Sequence, residues 1–161
     1  MTVRDYNHCV DVYSDGVYRF ILKNIRDVDK AKDIIQDSFE KMWIRHAEID
    51  AAKARAYLFT TAYHTMIDGT RRDKKLAVME EAPATYGSVY NLYSDLKEVI
   101  EESLQQLPEI QRIVLMLRDY EGYSYEEIGQ ITELNESQVK VYIFRARLTL
   151  KKYIGKLENV M

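Results

Sequence analysis

The segment SYEEIGQITELNESQVKVYIFRAR, residues 124–147, decides the fold of the C-terminal half of the chain. Ser124 and Glu127 have the spacing of a capping box, in which the hydroxyl accepts from the third backbone N–H and the carboxylate accepts from the cap residue. Asn135 and Gln138 repeat this arrangement further along. Residues 130–134 leave room only for a tight turn. The segment therefore predicts a short helix, a tight turn and a longer helix.

The apolar residues of this segment recur at helical spacing and lie on facing sides of the two predicted helices. They are Ile128, Ile131 and Leu134 before the second helix, and Val139, Ile143 and Ala146 within it. Ala146 is small where two helices would cross closely. This pattern is typical of a helix-turn-helix, whose second helix enters the major groove of DNA.

The charge of the second helix supports DNA binding. Residues 137–157 contain no acid, while the basic residues are Lys140, Arg145, Arg147, Lys151, Lys152 and Lys156. Neutralisation of DNA phosphates requires such a face, and Arg, Lys and apolar groups can contact base edges. The predicted outward positions are Gln138, Lys140, Val141, Tyr142, Phe144 and Arg145. The alternative is a solvated basic helix with its aromatic residues in a core, which explains neither the two caps nor the tight turn.

Composition limits the class of the whole chain. Of 161 residues, 47% are hydrophobic and only two are proline and six glycine, which favours long helices. The longest aliphatic run, residues 113–117, is too short to cross a bilayer, and the first residues lack the apolar stretch of a secretory signal. The single cysteine, Cys9, excludes an internal disulfide and fits a reducing cytosol, so we expect a cytoplasmic location. The formal net charge of −3 argues mildly against nucleic acid, but the distribution of charge matters more.

Three amphipathic helices are predicted before residue 76. The first covers residues 6–25, with room for an interruption near residues 14–16, and Asp29 is the predicted N-cap of the second. The second has Ala31, Ile34, Ile35, Phe39, Met42 and Trp43 on its inner face, and the third has Tyr57, Leu58, Thr61, Ala62 and Met66. The third helix runs from about Ala52 to Lys75 and ends in the cations Arg71, Arg72, Lys74 and Lys75, which offset the helix dipole.

Residues 76–91 contain Pro83 and Gly87 and lack a sustained helical period, so they are predicted to be a linker. Pro108 fits the first turn of a later helix. The sequence thus predicts an all-α fold with two small helical domains, residues 1–75 and 92–161. Tyr86, Tyr90 and Tyr93 either pack on one domain or hold the two domains together in the free protein.

Two regions resemble the same protein family. EGYSYEEIGQITELNESQVKVYIFRAR, residues 121–147, resembles the run "GLSYEEIA…LG.S.GTVKSRL.RAR" in region 4 of bacterial sigma factors of the extracytoplasmic-function (ECF) type. DIIQDSFEKMW, residues 33–43, resembles "DLVQEVFLRLW" in region 2, and AYLFTTAYHTMIDGTRRDKK, residues 56–75, resembles "AWLYRIARNLAIDRLRRRR". The resemblance covers nearly the whole chain, in the family's order.

This resemblance implies a promoter-specificity subunit that binds core RNA polymerase, directs it to promoter DNA and helps melt the duplex. It assigns polymerase binding to Asp33, Gln36 and Asp37 in region 2. It assigns the −35 element to Arg118, Lys140, Phe144 and Arg145 in region 4. The outward positions Gln138, Val141 and Tyr142 complete the predicted −35 site. The −10 element, captured partly as an unstacked base, falls to Tyr57, Phe59, Tyr63, His64, Arg71, Arg72, Lys74 and Lys75. Members of the family are commonly held inactive by an anti-sigma factor, which makes such a protein a candidate partner.

The chain departs from the family's usual runs in both regions. Val141 and Tyr142 replace Ser and Arg in the second helix of the helix-turn-helix, which predicts a different −35 preference with more apolar contact. His64 replaces an Asn that helps recognise the flipped −10 base, and Thr60 replaces an Arg. We therefore expect a less basic groove for single-stranded DNA, in which aromatic side chains can stack on bases.

Catalytic patterns are missing from the sequence. His8, His46 and His64 are scattered, without metal-ligand spacing, and there is no phosphate-binding glycine loop or nucleophile–base pattern. We expect no enzyme activity, no metal, no cofactor, no small-molecule substrate and no membrane insertion. The alternatives to a sigma factor are a stand-alone helix-turn-helix regulator that binds operator DNA as a dimer, and a helical interaction protein without a DNA role.

Overall fold

The structure, a computed structural model, describes residues 1–77 and 95–160. The regular elements in these ranges are all helical, which confirms the predicted all-α fold. They are α1 (Val3–Ile25), α2 (Val28–Ile44), α3 (Ala54–Ala77), α4 (Asp95–Gln105), α5 (Glu109–Asp119), α6 (Tyr125–Thr132) and α7 (Glu136–Val160). Two 3-10 turns, His46–Glu48 and Ala51–Lys53, connect α2 to α3.

The chain forms two compact units, Met1–Glu81 and Ala82–Met161. The predicted linker lies largely outside the described residues, and so do Tyr86, Tyr90 and Tyr93. Helix α3 continues to Ala77, two residues beyond the expected end of the first domain. The exact domain boundaries and the tyrosine hypothesis therefore stay predictions.

The first unit is a three-helix bundle in which α1, α2 and α3 all pack against one another. Its fully buried large side chains are Val17, Phe20, Ile21, Met42, Leu58 and Phe59. The rings of Phe20 and Phe59 meet edge to face with centroids 5.4 Å apart, an arrangement that aromatic quadrupoles favour. This core fixes which sides of α2 and α3 face outward.

The structure corrects the predicted start of α2 and excludes the interruption that the sequence left open in α1. Helix α1 continues without interruption through Gly16, and Arg26 closes it in the left-handed conformation with φ 54°. The N-cap of α2 is Asp27 rather than Asp29, because the Asp27 carboxylate accepts a hydrogen bond from the Lys30 backbone N–H at 3.1 Å. Asp29 lies in the first turn of α2, where its charge still favours the positive end of the helix dipole.

Helix α2 buries a narrower stripe than the sequence predicts. Ala31, Ser38 and Met42 are buried, while the predicted inner residues Ile34, Ile35 and Phe39 are only half-buried. Trp43 was expected on the inner face but is 43% exposed, and its indole stacks on the His46 ring with centroids 4.4 Å apart. Trp43 follows Met42, the last buried residue of α2, by one position, so its side chain points away from the core.

The second unit is built around α5, which is buried from Arg112 to Leu117 and packs against α6 and α7. Pro108 is the N-cap of α5, one position before the helical turn in which it was expected. Ile128, Ile131, Val139, Ile143 and Ala146 are all buried, as the apolar spacing predicts, whereas Leu134 is only half-buried. This packing leaves one side of α7 exposed.

Candidate nucleic-acid and polymerase interfaces

Local hydrogen bonds set the helix-turn-helix formed by α6 and α7. Ser124 accepts from the Glu127 backbone N–H at 3.1 Å, and the Glu127 carboxylate accepts from the Ser124 backbone N–H at 3.0 Å. Asn135 and Gln138 make the same pair of bonds at 2.8 and 3.1 Å. Both predicted capping arrangements are therefore confirmed. They fix the start of each helix and hence the direction in which α7 leaves the turn.

The turn between the two helices is as tight as the sequence indicates. Glu133 closes α6 in the left-handed conformation with φ 62°, and the Leu134 N–H donates to the Gly129 carbonyl at 3.1 Å. A Cβ added at Gly129 would lie 2.7 Å from the Leu134 carbonyl oxygen, so only glycine fits this close approach without adjustment. The turn holds α7 against α6 at a short distance.

Helix α7 presents a mixed apolar and basic face. Gln138, Lys140, Val141, Phe144 and Arg145 are exposed, and Tyr142 is half-buried. The exposed fractions of Val141 and Phe144 are 44% and 64%. Leu148 continues the same face, since it follows Phe144 by one helical turn and is also exposed. The outward positions predicted from sequence thus form one surface, and Leu148 extends it.

Three cations lie near the start of α6. Arg118 and Lys140 contact the Tyr125 ring, and Arg147 pairs with Asp119. The Arg118 guanidinium lies 4.6 Å from the centroid of the Tyr125 ring, and the Lys140 ammonium lies 5.5 Å from it. Arg118 also donates to the Tyr123 carbonyl at 2.9 Å. Arg147 donates to the Asp119 carboxylate at 2.8 Å. This hydrogen bond raises the pKa of Arg147 despite partial desolvation, and the Tyr125 hydroxyl contributes in the same direction.

On α2, the three residues expected to bind polymerase lie on the outer side. Asp33 and Gln36 are exposed, whereas Asp37 is half-buried and pairs with Lys41 at 3.0 Å. Lys41 also donates to the Thr65 hydroxyl of α3 at 3.4 Å. A cavity of about 360 Å³ between α2 and α3 is lined by both aspartates and by Arg72. Lys30 and Lys41 also line this cavity, so the surface that joins α2 to the end of α3 carries both signs of charge.

The residues assigned to the −10 element separate into two groups. Tyr57 and His64 are half-buried, and Arg71 and Arg72 are exposed near the end of α3. Lys74 and Lys75 belong to the same helix, but their side chains lie outside the described residues.

Phe59 and Tyr63 are buried in this structure. Phe59 is 1% exposed, because it fills the core against Phe20. The rings of Tyr63 and His64 have centroids 5.2 Å apart. The structure therefore does not support base stacking by Phe59. The sequence places Phe59 one helical turn before Tyr63 but does not indicate that its side chain lies in the core.

The described residues contain neither a metal-binding cluster nor a membrane-spanning helix. Among residues 1–77 and 95–160, no group of three or more His, Cys, Asp or Glu is arranged to hold a metal ion. No helix in the same ranges combines the length and the apolarity needed to cross a membrane.

Comparison with known proteins matches both halves of the chain. The family model for sigma-70 region 2 matches residues 9–76, and the model for sigma-70 region 4 matches residues 97–150. The sigma factor YlaC of Bacillus subtilis is 31% identical over 89% of this chain and 88% of its own length. The ECF sigma factor SigM of the same organism is 29% identical over 92% of this chain and 94% of its own length.

The chain belongs to the ECF-type RNA polymerase sigma factors. Two solved structures share the fold of this sigma factor. One is the sigma factor RpoE in complex with the anti-sigma factor NepR from Bartonella quintana, with a TM-score of 0.78 and 23% identity over 95% of this chain and 98% of that one. The other is CnrH in complex with the cytosolic domain of CnrY, with a TM-score of 0.72 and 20% identity over 96% and 90% of the two chains.

As a sigma factor, the protein binds core RNA polymerase and promoter DNA and directs transcription initiation. The sequence predicted the two caps, the exposed side of α7 and the outward position of Asp33, Gln36 and Asp37 on α2. It did not single out Tyr125, which contacts two of the predicted cations, or Leu148, which extends the exposed side of α7. A sequence signal existed for Leu148, namely its helical spacing from Phe144, whereas the contacts of Tyr125 depend on how three helices meet.

Proposed function

We propose that this sigma factor divides promoter recognition between its two units. The second unit would recognise the −35 element as duplex DNA, with Lys140, Val141, Phe144 and Arg145 facing the major groove. The first unit would bind polymerase through Asp33, Gln36 and Asp37 and capture the −10 element along α3. The observation that carries this proposal is the outward-facing surface of α7 from Gln138 to Arg145, which contains no acid. Two capping boxes fix the starts of α6 and α7 and so the direction of this surface.

The exposed surface of α7 suits a major groove in both charge and shape. Lys140 and Arg145 can bind phosphates or guanine edges, and the Val141 and Phe144 side chains can contact thymine methyl groups. Lys140 pairs with Glu136 at 3.4 Å, but both side chains are more than half exposed. Such a surface ion pair contributes little to stability, so Lys140 can exchange it for a phosphate at low cost.

The first unit offers two adjoining surfaces for its two tasks. On α2, the Asp33 and Asp37 carboxylates can bind cations of a protein partner and would be repelled by DNA phosphates, which favours protein over DNA at this position. At the end of α3, Arg71 and Arg72 are exposed and favour the DNA backbone, while His64 offers a ring and a hydrogen-bonding group to an unstacked base. His64 would take the place of the family's usual Asn in this role.

We also propose that an anti-sigma factor regulates the protein and that it acts in the cytoplasm. An anti-sigma factor would hold the protein inactive, as the complexes of RpoE with NepR and of CnrH with CnrY suggest for the shared fold. The protein would act in the cytoplasm on the transcription machinery and would carry out no catalytic step itself.

Reconstitution with bacterial core polymerase tests the proposal. Holoenzyme formed with this protein should select a promoter sequence from a randomised pool and initiate transcription there, and core alone should not. Lys140→Ala and Arg145→Ala should each weaken use of the selected promoter, by about 1–3 kcal/mol where a base contact is lost.

The alternative of a stand-alone regulator predicts the reverse outcome. A protein that fails to bind core polymerase but binds duplex DNA tightly as a dimer would exclude the sigma-factor assignment of these surfaces. Analytical ultracentrifugation of the protein with core polymerase, and with a duplex selected from the same pool by the protein alone, separates the two cases.

A further inference from the structure

We propose that Tyr125 is a positioning residue for −35 recognition, whose ring holds Arg118 of α5 and Lys140 of α7 in place for DNA. This inference rests on the proposed function of the second unit and adds a residue to it. Tyr125 itself need not contact DNA in this role. It acts through two cations that come from different helices.

The location of Tyr125 suits it to this role. It is the first residue of α6, directly after the N-cap Ser124, whose hydrogen bonds with Glu127 fix the local backbone. The ring is half-buried, so its position is restrained while part of it stays accessible. Tyr125 thus lies at the junction of α5, α6 and α7.

Two cations contact this one ring. Arg118 and Lys140 lie 4.6 and 5.5 Å from its centroid, within the range in which a cation is attracted to an aromatic face. Arg118 is also tied to the Tyr123 carbonyl, so the ring and the carbonyl together restrict its orientation. Lys140 has a long flexible side chain. Contact with the ring already restricts it in the free protein, so less conformational entropy is lost when it binds DNA.

A third cation, Arg147, is held mainly by Asp119, with a smaller contribution from the Tyr125 hydroxyl. Arg147 is paired with Asp119, the residue next to Arg118, at 2.8 Å. This pair ties the end of α5 to the middle of α7. Packing of α5 against α7 and the Arg147–Asp119 pair both position the helices that carry Arg118 and Lys140, so the Tyr125 ring is not their only connection.

The test is a mutant cycle on holoenzyme, with a duplex that carries the −35 sequence selected by the wild-type holoenzyme from a randomised pool. Tyr125→Leu removes the ring and keeps apolar bulk, and it should weaken binding roughly fivefold, as loss of two exposed cation–π contacts would. Tyr125→Phe and Tyr125→Trp keep an aromatic face and should stay within about twofold of wild type. Thermal unfolding of each variant reports whether the fold is intact.

The decisive comparison repeats Tyr125→Leu in an Arg118→Ala/Lys140→Ala background. There the leucine substitution should cost almost nothing, because the cations that the ring positions are gone. In an Arg145→Ala background, Tyr125→Leu should still weaken DNA binding by the same roughly fivefold factor, since Arg145 makes no described contact with Tyr125. Equal losses in the wild-type and the Arg118→Ala/Lys140→Ala backgrounds would overturn the inference, because Tyr125 would then act on its own.

Two further outcomes also decide the matter. A large loss in well-folded Tyr125→Phe and Tyr125→Trp would assign the effect to the hydroxyl and would likewise contradict the proposal. Failure of the wild-type holoenzyme to select any −35 sequence would instead count against the proposed function itself, so the two failures are distinguishable.

Discussion

Val141 and Tyr142 occupy positions at which the family's usual run has serine and arginine. Val141 exposes 44% of its surface beside Lys140, which provides an apolar contact where a hydroxyl would donate a hydrogen bond. We expect Val141→Ser with Tyr142→Arg to change the −35 sequence that the holoenzyme selects, because a polar pair replaces an apolar contact. Each altered base preference should be worth about 1–3 kcal/mol.

Sequencing of promoters selected from a pool with a randomised −35 region measures this change. Val12→Ser, at an exposed position of α1 in the other unit, is the matched control and should leave the selected sequence unchanged. If the double variant and wild type select the same −35 sequence, residues 141 and 142 do not determine specificity.

Cys9 illustrates a buried group whose protonation follows from packing. Its side chain is 4% exposed, and burial, aided by the nearby negative charge of Asp5, raises the pKa of the thiol. The thiolate is the reactive form, so the folded protein should react slowly with iodoacetamide at pH 8. Because the folded pKa is raised, the associated stability is present below the unfolded pKa and is lost as the pH rises through the folded pKa.

Mass spectrometry of timed alkylation, with and without denaturant, measures the reactivity of Cys9. We expect fast labelling only in denaturant. Comparable rates in the two conditions would show that the α1 core opens readily around this residue.

Within the helix-turn-helix, the turn combines a glycine inside α6 with a non-glycine residue in the left-handed conformation. A Cβ at Gly129 would lie 2.7 Å from a backbone carbonyl oxygen that cannot move alone, so Gly129→Ala should destabilise the protein by about 1–3 kcal/mol. Glu133 has φ 62°, so Glu133→Gly should stabilise it by about 0.5–1 kcal/mol. Denaturant unfolding curves of the variants measure both changes.

Gly155 provides the matched control in the same unit. It lies inside α7, and a Cβ there would meet no atom within 4 Å. Gly155→Ala should therefore stabilise the helix by up to about 1 kcal/mol through propensity alone. If Gly129→Ala behaved like Gly155→Ala, the turn would be looser than the structure indicates.

The elements show what local sequence can and cannot predict. The caps at Ser124 and Asn135 were predictable because all their hydrogen bonds lie within four residues. The start of α2 was not, because two aspartates in close succession satisfy the same local rule. The uninterrupted α1 was also missed: a helical glycine costs about 1 kcal/mol, and packing of α1 against α2 and α3 outweighs that cost.

At the scale of the whole molecule, function was predictable because two motifs occur in the family's order at the family's spacing. A single helix-turn-helix would have indicated DNA binding and no more. The details of the site were less predictable. Phe59 fills a core that involves Phe20, far away in sequence, and Tyr125 meets cations from two other helices, so both depend on tertiary packing.

The proposed division of tasks between the two units predicts opposite defects for two double variants in one assay. Asp33→Ala/Asp37→Ala should raise the protein concentration that saturates transcription with core polymerase, yet leave the selected −35 sequence unchanged at saturation. Loss of Asp37 frees Lys41, which is about half exposed, so solvent replaces the ion pair at little cost to stability. The defect should therefore lie in binding and not in folding.

Lys140→Ala/Arg145→Ala should give the opposite result: normal affinity for core polymerase and weak use of the selected promoter at any protein concentration. Each lost phosphate contact should also lower the salt dependence of DNA binding, because fewer counterions are released. Titration of each variant into core, with transcription from one promoter and a direct core-binding measurement in parallel, separates the two effects. If both double variants lost core binding and promoter use together, polymerase binding and −35 recognition would not belong to separate units.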